Sequence, residues 1–282
     1  MDTKGRTILV LAVLAALGTG YYFLDPRNCD AEGLECSSDA NRGELPRNGK
    51  RLELPYDPPD RSAEVVEHMG YTLSYNNALR IPNWVAYELQ ASELYSGNRP
   101  RQEKFTPDPA IKGRQAYDRD YVGSGYDRGH MAPAGDMKWS SQAMEECFYL
   151  SNVCPQNHNL NSGVWNDLEM QVRYECKYYG TIWVVCGPVP DGNRYGTIGS
   201  NHVKVPDAFF KALLARRKNG DGYVAIGFIF PNEAGRKPLR SYAMTVDELE
   251  ARIGMDLFYN LDNREQEKVE AAIDPYEDWR IR

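Results

Sequence analysis

Asp127-Arg128-Gly129-His130 sets a carboxylate, a permanent cation, a residue without a side chain and an imidazole in four successive positions. Further along, Ser151-Asn152-Val153-Cys154-Pro155-Gln156, Leu160-Asn161 and Trp165-Asn166-Asp167-Leu168-Glu169 add amide and carboxylate oxygens. An imidazole titrates near neutrality and suits a general base. A guanidinium stays charged and matches a phosphate. Neutral amide and carboxylate oxygens suit a hard metal ion that keeps several of its waters. Phosphodiester hydrolysis needs all of these: an activated water, charge relief on the phosphate, and help for the leaving oxygen. Asn161 stands at the expected start of a helix, where an N-cap is the plain structural explanation. Capping does not account for Asn152, Asn161 and Glu169 falling together beside His130. Along a helix, eight residues drift by only about 80°, so Asn161 and Glu169 can face one site.

The elements that must hold these groups are legible in part. Strand-like runs stand at 71–75, 84–89, 148–153, 182–186, 202–205 and 223–230, with a long Pro- and Gly-rich loop over 96–125. A helix is expected over 164–179, with Trp165, Leu168, Val172, Cys176 and Tyr179 on one face and Gly180 as its stop. A second is expected over 206–218, burying Phe209, Phe210, Leu213 and Leu214. Its basic residues from Lys211 to Lys218 then form a solvated cationic face, or alternatively a DNA-facing one. A third, over 245–253, opens with the capping box Thr245-x-x-Glu248, with Met244 and Leu249 placed as a hydrophobic staple. No repeat is present, and the class is α+β with a mixed or antiparallel central sheet and flanking helices.

The net charge of -7 does not argue against a polyanionic substrate, because the excess is local: residues 245–282 carry eleven Asp/Glu against five Lys/Arg. The 18 uncharged residues 7–24 come after Lys4 and Arg6. They reach about 27 Å as a helix, enough to cross a bilayer and translocate the rest of the chain. An uncleaved signal anchor is the preferred reading and a cleavable signal peptide its rival. The expected organisation is a cytoplasmic 1–6, an anchor at 7–24, a linker at 25–64, a folded domain at 65–260 and an acidic tail at 261–282. Cys29 and Cys36 suit a local disulfide loop in an oxidising compartment, whereas Cys147, Cys154, Cys176 and Cys186 have no evident assignment. Zinc is disfavoured, since no Cys-x-x-Cys pair is present.

Together Asp127-Arg128-Gly129-His130, Ser151-Asn152-x-x-Pro155-Gln156, Leu160-Asn161 and Trp165-x-x-Leu168-Glu169 resemble the signature of the DNA/RNA non-specific endonucleases of the endonuclease G type. Arg101-x-x-x-Phe105, Asp120-Tyr121-x-Gly123-Ser124-Gly125-Tyr126, Gly187-Pro188 and Val205-Pro206 extend the likeness over roughly 65–258. The resemblance implies a ββα-metal (His-Me finger) fold. It also implies a Mg²⁺-dependent enzyme, with Mn²⁺ as a substitute ion, cutting DNA and RNA to 5′-phosphate products. Residue by residue, it implies His130 as the base for water, Asn161 as the protein ligand of the metal, and Glu169 as holder of metal-bound water. Arg128 and Arg101 would contact the scissile phosphate, with Arg99 the alternative for the latter, and Asn152 would position the hairpin. His68, His158 and His202 are read as structural or surface residues.

DNA and RNA are the implied substrates, and the family suggests a homodimer. The anchor implies a membrane partner, with the nuclease domain in the periplasm or outside the cell, or at a mitochondrial membrane in a eukaryote. A reading from another class is a membrane-tethered nucleic-acid-binding protein without catalysis, which intact His130, Asn161 and Glu169 disfavour.

Overall fold

Among the described residues, eleven strands divide between one seven-stranded sheet and two small hairpins, and the longest of them explain why the core has two sides. In this computed structural model residues 51–57, 63–96, 99–190, 192–235 and 237–281 are described, all within one unit spanning 46–282. The expected anchor and the Cys29–Cys36 loop lie outside the described residues. The central sheet runs β1 (Glu64–Glu67), β2 (Thr72–Asn76), β3 (Ile81–Gln90), β6 (Thr181–Val189), β9 (Ala208–Arg216), β10 (Tyr223–Pro231) and β11 (Ala243–Met244), every pairing antiparallel. Along β9, Phe209, Leu213 and Ala215 enter one core, while Phe210, Ala212 and Leu214 enter a second on the opposite face. Period-two alternation thus serves two cores at once.

This double burial corrects the helix expected over 206–218. Phe209-Phe210 and Leu213-Leu214 mimic a helical stripe, but a strand covered on both faces is apolar at both parities and shows no alternation to read. Asp207, expected near the helix start, instead accepts a hydrogen bond from Gly192 N at 2.7 Å. Lys211 is no part of a basic surface: it is fully buried. The strand expected over 148–153 is also shifted. Leu150–Asn152 form a 3₁₀ turn, and β5 (Val153–Gln156) starts after it.

β4 (Asp127–His130) pairs with β5 as a separate two-stranded hairpin, and the chain then enters a helical run. That run comprises a short turn at His158–Leu160, a π-helical turn at Asn161–Trp165, and the 14-residue helix Asn166–Tyr179, which ends on Gly180 at φ 92°. β7 (Thr197–Ile198) and β8 (Val203–Lys204) make a second small hairpin. The helix Val246–Ile253 is capped as its sequence indicates: Thr245 Oγ1 accepts from Glu248 N, and Glu248 Oε2 accepts from Thr245 N, both at 3.1 Å.

The folded unit overruns both expected boundaries. Leu52 and Leu54 are buried in the second core ahead of β1. At the other end, after the helix Asn263–Glu270, Trp279 and Ile281 are buried in the first core. Gln171 Nε2 donates to Trp279 O at 3.2 Å, the Tyr179 hydroxyl donates to Asp278 O, and Arg280 pairs with Glu175. The acidic tail therefore straps the outer side of the long helix.

Candidate active site

The hairpin sets Arg128 opposite Pro155, Gly129 opposite Cys154 and His130 opposite Val153. Gly129 is required there, because a Cβ would stand 2.1 Å from Gln156 Oε1. Asn152 fastens the end of the hairpin. Its Nδ2 donates to Ala132 O at 2.9 Å and to Cys147 O at 2.8 Å, and its Oδ1 accepts from Ala132 N at 2.9 Å. Fully buried and fully used, this side chain locks the segment just after His130.

His130 is 8% exposed, and its ring lies 5.2 Å from that of Phe105 and 4.8 Å, edge-on, from that of Phe148. Nε2 is buried without a hydrogen-bond partner among the described residues. Burial, aided by the charge of Arg101, lowers its pKa to about 3. The imidazole is therefore neutral near pH 7, the state in which a general base starts, and its low pKa makes it a weak base as it stands.

Asn161 does not cap its helix. Asn157 does, its side chain accepting from Asn159 N at 3.0 Å and Leu160 N at 3.4 Å. Asn161 is instead turned by the hairpin: its Nδ2 donates to Asp127 Oδ2 at 2.9 Å, the oxygen that also meets His158 Nδ1 at 2.9 Å. With the amide nitrogen so engaged, the amide oxygen makes no hydrogen bond among the described residues and is the atom able to bind a ligand. Within the helical turn, Gly163 leaves helical geometry (φ -105°, ψ -118°), and this offsets Asn161 from the straight helix carrying Glu169.

Glu169 sits one turn after Trp165 on the long helix. Burial raises its pKa to about 7 and Asp136 adds to this, while Lys211, Arg173 and Arg101 act to lower it. Arg173 Nη1 donates to Asp136 Oδ1 at 2.8 Å and the Tyr87 hydroxyl to Asp136 Oδ2 at 3.0 Å. Lys211 lies 4.4 Å from the centre of the Trp165 ring, and its Nζ makes no hydrogen bond among the described residues. An amide oxygen, a carboxylate and an imidazole without a partner fit a hard divalent ion and its waters.

Arg128 and Arg101 flank the same aromatic wall. The Arg128 guanidinium stands 5.7 Å from the Phe105 ring and 5.3 Å from that of Tyr121, and that of Arg101 stands 5.0 Å from the Phe148 ring. Asp118 takes Arg128 Nε at 2.6 Å through its carboxylate and Nη2 at 2.9 Å through its backbone carbonyl, so Nη1 is left for a ligand. Between the two arginines weighed for the second cation, it is Arg101 whose charge reaches both His130 and Glu169.

All six residues singled out by sequence, His130, Arg128, Glu169, Asn152, Arg101 and Asn161, are thus linked through one hairpin, one aromatic wall and one helix. Asp127, Asp118, Asp136 and Arg173 were given no role from sequence, and Lys211 only a place on a basic surface. Asp127 was visible inside the motif, but its partners stand 31 and 34 residues away. His158 is no bystander, since it shares Asp127 with Asn161. His68, as expected, is structural: it meets Asp108 at 2.9 Å, the carboxylate that also accepts from Ser151. Cys147, Cys154, Cys176 and Cys186 are all buried free thiols.

A helix that delivers Asn and Glu to a hairpin bearing His, set against an antiparallel sheet, defines the ββα-metal nuclease class. A profile of the DNA/RNA non-specific endonuclease family matches residues 50–264, and the chain belongs to that family. It is 40% identical over 233 residues to the human (Homo sapiens) mitochondrial nuclease EXOG, an alignment covering 72% of this chain and 63% of the human protein. To human mitochondrial endonuclease G it is 33% identical over 205 residues, covering 68% and 69% of the two chains. Among solved structures, EndoG from a complex with its inhibitor EndoGI superposes with a TM-score of 0.66 at 30% identity, covering 71% of this chain and 88% of that one. The chain spans about three fifths of the length of the EXOG relatives it matches.

Proposed function

We propose that this protein is a divalent-metal-dependent endonuclease that hydrolyses DNA and RNA without sequence preference and leaves 5′-phosphate ends. The observation that carries the reading is His130: a buried, neutral imidazole with an unpartnered nitrogen beside two arginines. In this reading His130 Nε2 takes the proton of the attacking water. Arg128 Nη1 and Arg101 bind the non-bridging oxygens of the phosphate and offset the charge that develops there. Asn161, through its amide oxygen, and Glu169 would hold Mg²⁺ or Mn²⁺ with its waters, and the ion would supply charge relief at the leaving 3′-oxygen. Asn152 keeps His130 in register. Contacts to phosphate position a nucleic acid without reading its bases, which agrees with a broad substrate range.

A nicking assay on supercoiled plasmid, paired with a structured RNA, tests this. Cleavage is expected with Mg²⁺ and Mn²⁺, absent in EDTA, and lost in His130→Ala and Asn161→Ala. Cleavage that persists without metal or without His130 overturns the mechanism, and binding without cleavage restores the non-catalytic reading. We extend the proposal to a membrane tether at 7–24 and to a homodimer. EXOG and endonuclease G are mitochondrial by name, which agrees with a compartment set apart from the main genome. Among the described residues, no helix is long and apolar enough to cross a membrane. Retention of residues 1–24 in membrane fractions, and molecular mass by light scattering, decide these two points.

A further inference from the structure

A second group of oxygen ligands stands at the C-terminal end of the fold, on elements that contribute nothing to the catalytic site. Asp247 and Glu250 are three residues apart and share a face of the helix Val246–Ile253. Glu270 closes the helix Asn263–Glu270. One carboxylate oxygen from each lies within 4.8 Å of the other two. Glu270 is only 5% exposed, and its Oε1 makes no hydrogen bond among the described residues.

Three other buried carboxylates among the described residues face a cation. Asp108 has His68 and Ser151, Asp136 has Arg173 and Tyr87, and Glu175 has Arg280. Glu270 has no cation facing it among the described residues: the charges that act on it belong to Glu250, Asp256 and Asp247, and only the neutral Gln266 amide offsets them. A buried, unpartnered carboxylate oxygen aimed into two further carboxylates is costly unless positive charge fills the space. We propose that Asp247, Glu250 and Glu270 bind a calcium-type divalent cation that joins these two helices.

The ligand set favours calcium over magnesium. Ca²⁺ takes several protein carboxylates, whereas Mg²⁺ keeps several of its waters and is usually held by one or two carboxylates. Glu250 Oε1 already accepts from Leu257 N at 2.6 Å, which orients the carboxylate and leaves its other oxygen for the ion. Burial, with the charges of neighbouring acids, raises the Glu250 pKa to about 7 and the Glu270 pKa to about 9.

The test is thermal melting of the full chain at pH 8 after EDTA treatment and dialysis, titrated with CaCl₂ or MgCl₂. The variants are Glu270→Gln, Asp247→Asn and, as a control lacking the catalytic ligand, Asn161→Ala. Glutamine reproduces the protonated acid, so Glu270→Gln is expected to fold, and Asp247 is exposed. Saturating Ca²⁺ is expected to raise Tm by about 5 °C or more in the wild type and in Asn161→Ala. Glu270→Gln and Asp247→Asn should lose most of that rise while keeping nicking activity in Mg²⁺. No rise in the wild type, or an equal rise in Glu270→Gln and Asp247→Asn, overturns the site. An equal rise with Mg²⁺ at the same concentration overturns the assignment to calcium.

Discussion

Lys211, fully buried, holds its ammonium 4.4 Å from the centre of the Trp165 ring, and Trp165 stands one helical turn ahead of Glu169. Its strand neighbour Cys186 makes contact with the active hairpin, donating to Met131 O at 3.3 Å. The strand beneath the site thus places a lysine whose effect on Glu169 opposes that of burial.

Removing that charge should separate activity from stability. An apolar near-isostere in place of a buried, unpaired lysine is expected to be neutral or stabilising, set against the loss of its contact with the Trp165 face. Lys211→Met should therefore melt no lower than the wild type by more than a few degrees. Its Mg²⁺ requirement for nicking should rise about 10- to 100-fold, the usual loss when a residue supporting metal ligands is removed. A metal dependence equal to that of the wild type would show that Lys211 is a packing residue only.

Asp127 should behave as the residue that orients the metal ligand. In Asp127→Ala the Asn161 amide loses the acceptor that turns its oxygen outward. We expect the metal concentration for half-maximal activity to rise about 10- to 100-fold, with much of the maximal rate recovered at high Mg²⁺. Asn161→Ala should show no such rescue. A maximal rate that stays low at every metal concentration would place Asp127 in the chemistry itself.

His130 should leave a mark on acid stability. Its folded pKa lies near 3 against an ordinary 6.5, so between those limits the unfolded chain binds a proton that the folded protein does not. Stability therefore falls as pH drops below 6.5, by about 1.4 kcal/mol per pH unit for one such group. Denaturant unfolding of the wild type and of His130→Asn at pH 7 and pH 5 checks this. The wild type should lose more stability than the variant over that interval, and equal losses would show that the imidazole titrates normally.

Asn152 should be needed for the fold as well as for the site. Asn152→Ala removes three hydrogen bonds and leaves two carbonyls and an N–H buried. A loss of about 3 kcal/mol or more is expected, measured by denaturant unfolding. Nicking at temperatures where the variant remains folded should still be depressed, because the segment after His130 is no longer held in register.

Much of the candidate site was readable along the chain because its residues fall in local motifs. His130, Asn161 and Glu169 could be picked by type and spacing, and the Thr245–Glu248 box announced its helix through hydrogen bonds that span three residues. The 206–218 segment misled because its two apolar parities feed two cores, and nothing within that short stretch reveals that a sheet is covered on both faces. The tail misled by composition: its acidic residues are real, yet Trp279 and Arg280 return to the long helix, where Arg280 meets Glu175 across 105 residues.

The candidate site groups, the α+β class, and the helix opened by the Thr245–Glu248 box could thus be read from residue order alone. That Lys211 lies under the site, that Asp127 turns Asn161, and that His130 is neutral were decided by tertiary structure. The physical reason is range. Side-chain chemistry and capping are properties of a few neighbouring residues, whereas burial, and the pKa values it produces, sum over segments far apart in the chain.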